Sequence, residues 1–485
     1  MATLQSQVPA EAVAGEHFNT IIIGSGFGSG FFLHEALAHD RAGRILILEW
    51  GPVASHEDQL NAGSSALIKP ESTFKNEGSR PWNFTIGFGG GTNCWFGQTP
   101  RLHPSDFRLA SLYGRGRDWP ISYDEIEPFY CEAEDIISVS GDPDEARYIP
   151  RSRPHPQPMH RLSTPDKVLK NAYPDLHFGV PTARSAISLP NRNRCCASLR
   201  CNLCPLDAKF TANNGLLPIF EDPQVTLISG AKVVSFETNS TSVTGLEFLA
   251  DSKHFKVSGD LFVLGANAIH SPAIMLRSGI TDGPVGKGLH EAYGIECEIL
   301  LDGMDNFDGS TIATSQSYAG YDGAFRREAG SALFLFVNWW KFGLRTEQGR
   351  WRQTLPVVLN IEELVDDANR VEIDGAGNPV TITGSPSAYA IDGGKLAMTR
   401  LEEIVSALPV ENISQPTVRE TESHVQGTLR MGSTSQDSVI DAHQVHHRLR
   451  NLLIVGSSVF PSCSAAAPSL TVAALSLRAA RKLFA

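Results

Sequence analysis

An excess of positive charge is the first thing this chain lacks. Its 485 residues hold 41 Lys and Arg against 53 Asp and Glu, a formal net charge of −12. A nucleic-acid backbone demands clustered Lys and Arg, so nucleic acid is not an expected partner. Long apolar runs are missing as well, and no stretch approaches the ~20 apolar residues of a membrane-spanning helix. The opening segment MATLQSQVPAEAVAGEHF has neither a basic flank nor an apolar centre. No signal peptide is therefore expected, and the cytoplasm is the default location, with export on a signal-bearing partner the alternative route. No internal repeat is evident.

What the chain does have is length, glycine and one knot of cysteine. A single small fold is excluded, because 485 residues exceed the usual ~100–200 of one domain. Glycine is enriched, at 43 of 485 residues, against a usual share of ~7%. Much of that excess is concentrated at two places. The first follows the apolar run Phe18 to Ile23 and reads Gly24, Ser25, Gly26, Phe27, Gly28, Ser29, Gly30, before a helix-like stretch. A second apolar run, Ile45 to Leu48, ends on Glu49, completing a βαβ unit. Glycines let the backbone bend tightly and bring a pyrophosphate against the free N–H groups of a helix N-terminus. Glu49 is then placed for the adenosine ribose hydroxyls, which favours FAD or NAD over NADP. The G-x-G-x-x-G pattern is imperfect, with Ser29 at its third glycine position.

The second glycine cluster spans 87–97 and includes Gly89, Gly90, Gly91, Thr92, Asn93 and Cys94. Consecutive glycines can present a row of N–H groups to a phosphate or a flavin edge, and they also suit a plain loop. Beyond it, Ser122 and Glu125 have the spacing of a capping box at the start of an amphipathic helix. Residues 141–193 read as a long irregular excursion. Strands are expected at 224–229, at 261–264 leading into a helix, at 331–339 and at 355–361, and a helix at 395–408. The strand-rich block from about 294 suggests a second domain inserted between pieces of the first. His443, His446 and His447 read as solvated turn residues, and Glu362, Glu363, Asp366 and Asp367 as a charged loop.

The C-terminal segment is the most specific. It contains His424-Val-Gln-Gly427-Thr428-Leu-Arg430-Met431-Gly432, then Asn451 to Pro461 with Gly456, Ser457 and Ser458, then Pro468, Ser469, Leu470 and Thr471. With the glycine turn at 24–30, the Gly-Gly-Gly-Thr-Asn-Cys-Trp loop and Trp119-Pro-Ile-Ser-Tyr, the chain resembles the glucose-methanol-choline oxidoreductase family over nearly its whole length. The resemblance implies an α/β protein with a discontinuous Rossmann-like FAD-binding domain at 16–100, 205–290 and 425–485. A mixed-sheet substrate domain at 101–204 and 291–424 is implied beside it. It implies oxidation of an alcohol or sugar hydroxyl, with FAD held non-covalently by Gly24 to Gly28, Glu49, Gly90 to Cys94, Val233, Gly265, Gly456 to Ser458 and Pro468 to Leu470. By the same resemblance His424 is the general base. An imidazole near its reference pKa of ~6.5 is also the natural group to take a hydroxyl proton while hydride leaves for a flavin.

Two departures from the family pattern stand out. Ala467 occupies the position where the family has Asn or His. A partner for His424 must then come from elsewhere, such as 141–193 or the 290–294 turn, or turnover is impaired, or the reaction is that of a FAD-retaining lyase. The other departure is the cysteine knot: Cys195, Cys196, Cys201 and Cys204. Their presence looks most like bacterial sugar dehydrogenases that carry an iron–sulfur cluster, and three ligands suit a 3Fe-4S cluster. Zinc, free thiols and a disulfide are the competing readings. A cluster would imply an electron-transfer partner, a small chaperone subunit, and a dehydrogenase instead of an oxidase.

Overall fold

The structure, a computed structural model, describes residues 4–39, 42–339 and 343–485. Two seven-stranded sheets organise them. The first follows from the βαβ start. Val225–Ser229, Ile45–Glu49, His17–Ile23 and Lys253–Leu264 lie side by side in parallel, and Leu452–Ile454 joins the last of these, also in parallel. The strand Ile45–Glu49 is buried at every position, as expected of a parallel sheet with both faces covered. An antiparallel extension, Val243–Ala250 and Lys232–Thr238, completes the sheet. The helices Phe27–Leu37 and Ser469–Phe484 pack on each other, and Tyr123–Ile137 packs on the latter.

The second sheet is antiparallel and runs Val410–Ile413, Tyr293–Leu301, Thr354–Ile361, Ala332–Val337, Ala313–Ser317, His177–Gly179, with Thr417–Val418 also on Tyr293–Leu301. Its apolar face is covered by the helix Ala388–Val405, which supplies Ala397, Leu401, Ile404 and Val405 to the core. No helix among the described residues is long and apolar enough to cross a membrane.

The capping box at Ser122 and Glu125 is present and starts the helix Tyr123–Ile137. The excursion at 141–193 is more regular than its composition suggests. Ser163 and Asp166 form a second capping box that starts the helix Thr164–Ala172, and His177–Gly179 is an edge strand of the second sheet. Three further sequence expectations are corrected by burial. Glu362 is 1% exposed because Arg326 reaches it at 2.6 Å, and Glu363 is also buried. His446 is fully buried, its Nδ1 accepting from the N–H groups of Arg448 and Leu449.

Candidate functional site

The glycine turn after the first strand packs backbone on backbone. A Cβ on Gly28 would lie 2.5 Å from the Gly456 nitrogen, and one on Gly24 would lie 2.7 Å from the Gly265 carbonyl oxygen. Gly24 also has φ +89°, a conformation suited to glycine. The four segments around residues 24–28, 87–91, 265 and 456 are thus drawn together because none has a side chain in the way. Gly89 N donates to Ser25 Oγ at 3.0 Å, tying the two glycine clusters directly.

This cradle fits a dinucleotide on its own geometry. The helix Phe27–Leu37 begins at Gly26 with no side chain capping its first N–H groups, leaving them for an anion. The hydroxyls of Ser29 and Ser458 and the amide oxygen of Asn93 are buried without partners. A Cβ at Gly91 or Gly456 would meet open space. Ser469–Phe484 likewise starts at Pro468 with no side-chain cap. Val233 lies buried in the antiparallel extension of the same sheet.

Glu49 stands at the glycine turn. Its carboxylate accepts from Ser25 N at 3.0 Å, Ser25 Oγ at 2.7 Å and Gly51 N at 2.8 Å. These donors are protein groups, so in this structure the carboxylate braces the glycine turn. Burial pushes its pKa up, against the pull of those hydrogen bonds. Cys94 ends the short helical turn Gly91–Cys94, with its thiol directed at Gly91 O at 3.7 Å.

The segment following His424 is bonded to this cradle. Three residues beyond His424, Gly427 N donates to Ser457 O at 3.0 Å, and Leu429 N to Ser458 O at 2.9 Å. Ser457 Oγ returns a bond to Val425 O at 2.5 Å. The His424 segment is therefore laced to the same 456–459 turn, just beyond the strand Leu452–Ile454, that faces the glycine turn. The ring is half-buried, and burial together with the Arg419 charge pushes its pKa down to about 4. It is thus neutral near pH 7, the state a proton acceptor needs. Beside it Glu422 is pushed up to about 7, first by burial, then by neighbouring Glu291 and Glu296 against the pull of Arg419.

Of the two places named for a partner to His424, the 290–294 segment is the one that reaches its loop. His290 pairs through its backbone with Gln426, and Glu291 accepts from His424 N at 3.2 Å. Sequence reasoning did not single out Glu291, and nothing local marks it. Ala467 is buried within an apolar stretch with Ala465 and Ala466.

The cysteine knot is not gathered into a metal site. Among the described residues no group of three or more His, Cys, Asp or Glu is arranged to hold a metal ion. Cys196 is exposed, Cys195 lies 3.7 Å from Thr311 Oγ1, and Cys204 accepts from Ala208 N at 3.3 Å. Cys201 is buried 4.0 Å from the Arg184 guanidinium. Ala197 and Leu199 adopt φ of +54° and +64°, turning the loop between the thiols. The buried cations Arg184 and Lys209 face Cys201, and Cys195 and Cys204 also lie close enough to act on it electrostatically. This arrangement lends the iron–sulfur expectation no support.

Comparison with known proteins agrees with the fold. Models described as GMC oxidoreductase match residues 176–293 and 368–476. The fructose dehydrogenase large subunit of Gluconobacter japonicus is 26% identical, over 88% of this chain and 85% of its own. The 6'''-hydroxyparomomycin C oxidase of Streptomyces lividus is also 26% identical, over 96% and 91%. Among solved structures, pyridoxine 4-oxidase from Mesorbium loti superposes with a TM-score of 0.68 at 16% identity, over 96% of this chain and 99% of that one. The interleaved sheets, the glycine cradle and the C-terminal motifs all agree with these matches: the chain is similar to GMC oxidoreductases in both of these segments and in its fold.

Proposed function

We propose that this chain is a GMC-type oxidoreductase that oxidises an alcohol or sugar hydroxyl with FAD seated in the glycine cradle and His424 as the general base. The observation that carries the reading is the lacing of the segment after His424 to residues 457 and 458, together with an imidazole that burial keeps neutral near pH 7. FAD, when bound, supplies the hydride acceptor. The chain's own part is to bind it through the uncapped helix start at Gly26 and the backbone at 89–91, and to accept the hydroxyl proton on the His424 ring. The similarity to a fructose dehydrogenase large subunit supports a sugar or polyol as the first substrates to test, and supports an assembly with other subunits.

Anaerobic mixing of the FAD-loaded protein with D-fructose, D-gluconate, glycerol and benzyl alcohol tests the reading. Bleaching of the flavin band is expected with at least one. In His424→Ala the reduction rate should fall by roughly 10²–10⁴-fold, the usual worth of a general base. Reduction at an unchanged rate removes His424 from the proton transfer, and an inert flavin with every alcohol and sugar overturns the activity.

A further inference from the structure

The loop that presents His424 has an unusual backbone. Ser423 holds φ +60°, a left-handed conformation that a serine adopts only when its surroundings impose it. The imposing group is Glu291. Its Oε2 atom accepts from His424 N at 3.2 Å, Glu422 N at 3.1 Å and Thr421 Oγ1 at 3.0 Å. Thr421 Oγ1 in turn accepts from Ser423 N at 2.8 Å. The N–H groups of Glu422, Ser423 and His424 are therefore gathered, directly or through one hydroxyl, onto a single carboxylate oxygen.

That carboxylate is itself fixed from the cofactor side. The Glu291 side chain is fully buried, and its Oε1 lies 3.3 Å from Arg80 Nη1. Arg80 belongs to the segment leading into the glycine loop at 87–91, and Asn83 of the same segment donates to Ser423 Oγ at 3.3 Å. Glu291 directly precedes Ala292 and the strand Tyr293–Leu301 of the second sheet. Three parts of the molecule thus meet at one carboxylate: the glycine-loop arm, the start of the substrate-side sheet and the loop bearing His424. Burial pushes the Glu291 pKa up against the pull of Arg80 and these donors, and a carboxylate oxygen accepting several protein donors in a dry site is a directional anchor.

We infer that Glu291, held by Arg80, is the positioning residue that sets His424 at the cradle, and so performs through the backbone part of what the missing Asn or His at Ala467 would do through a side chain. The inference rests on His424 being the base. Groups facing Glu291 are Arg80, which favours its charge, and Glu422, which lies on the same loop with Arg419 as its own partner at 3.0 Å. Gln at 291 keeps the shape but replaces an acceptor by an N–H₂, or halves the acceptor strength, where three donors converge.

The test uses the FAD-loaded chain and four variants: Glu291→Gln, Arg80→Met, Thr421→Val and His424→Ala. The first readout is the imidazole titration of His424 by nitrogen-15 NMR, assigned by loss of the signal in His424→Ala. In the parent the ring should titrate near 4, as burial dictates. In Glu291→Gln it should move toward the free value of ~6.5 as the ring gains water, with Thr421→Val between the two. The second readout is flavin bleaching by whichever of D-fructose, D-gluconate, glycerol or benzyl alcohol reduces the parent. It should slow ~30–100-fold in Glu291→Gln and Arg80→Met and ~3–10-fold in Thr421→Val, at equal flavin content, the range expected when a catalytic group is misplaced by about 1 Å. A His424 titration unchanged in all three positioning variants overturns the inference, even if one of them is poorly folded. If His424→Ala reduces at the parent rate while Glu291→Gln still shifts the titration, the base reading fails and the positioning survives.

Discussion

The glycine cradle and the seam around His424 are built by opposite means. In the cradle, segments approach because side chains are absent, and the contacts are between backbones only a few ångströms apart at Gly24, Gly28, Gly265 and Gly456. In the seam, segments approach because charged side chains reach across it. Arg326, fully buried, holds Asp106 at 2.8 Å and Glu362 at 2.6 Å, while Ser464 and Tyr321 bond the same Asp106. Glu291 and Arg80 repeat the arrangement beside His424. The backbone contacts themselves carry no charge, and the titrating group of the cradle is Glu49, which braces the glycine turn and whose pKa burial pushes up. The seam depends on buried charge, which is costly to leave unpaired, and is the part that conditions and single substitutions can loosen.

Acid should separate the two regions most clearly. His160, His177, His290 and His424 are each held down to about 4, first by burial. Their folded pKa values lie below the unfolded ~6.5, so below pH 6.5 the unfolded chain binds more protons and stability falls as pH drops toward 4. All four lie in the second sheet, in the segments around it or at the seam. Thermal melting followed from pH 7 to pH 4 should show Tm falling continuously from about 6.5 downward, and a flat profile would contradict this assignment. Next in size, Arg326→Met leaves Asp106 and Glu362 buried without their cation. A loss of about 3–5 kcal/mol is expected by denaturant unfolding.

The cradle breaks in a different way. Gly28→Val forces a side chain against the Gly456 backbone, at an expected cost of about 1–3 kcal/mol. Its signature is not the melting point but loss of flavin, read as the ratio of flavin to protein absorbance after gel filtration. Retention of a full complement of FAD would mean that the close approach of residues 28 and 456 is dispensable. Smallest of all, Ser122→Ala removes one capping bond far from both regions. It should lower stability by about 1 kcal/mol with flavin content and reduction rate unchanged.

How much of this was readable before folding follows the same division. The strands at 17–23 and 45–49, the glycine turn and the capping box at Ser122 rest on neighbours within a few positions, and the sequence pattern shows them directly. The capping box at Ser163 was equally local and could have been found amid the Pro-rich excursion. Glu362, by contrast, reads as a solvated acid until Arg326 is seen 36 positions away. That the Glu49 carboxylate braces Ser25 and Gly51 is likewise seen only in the fold. The cysteines at 195–204 read as ligands by spacing alone, and which of them are buried depends on loop dihedrals such as those at Ala197 and Leu199.

By itself, then, the sequence determined the family resemblance, the βαβ start, the places where backbone must pass backbone, and His424 as the candidate base. Those features are written in residue types and short spacings, because glycine conformations and helix caps are decided locally. Only the tertiary structure decided that Glu291 and Arg80, 211 positions apart, would meet at the His424 loop, and that of four cysteines close in sequence Cys201 would be buried and Cys196 exposed. Buried charge pairs form where distant segments exclude water together, and a linear pattern carries no record of that exclusion.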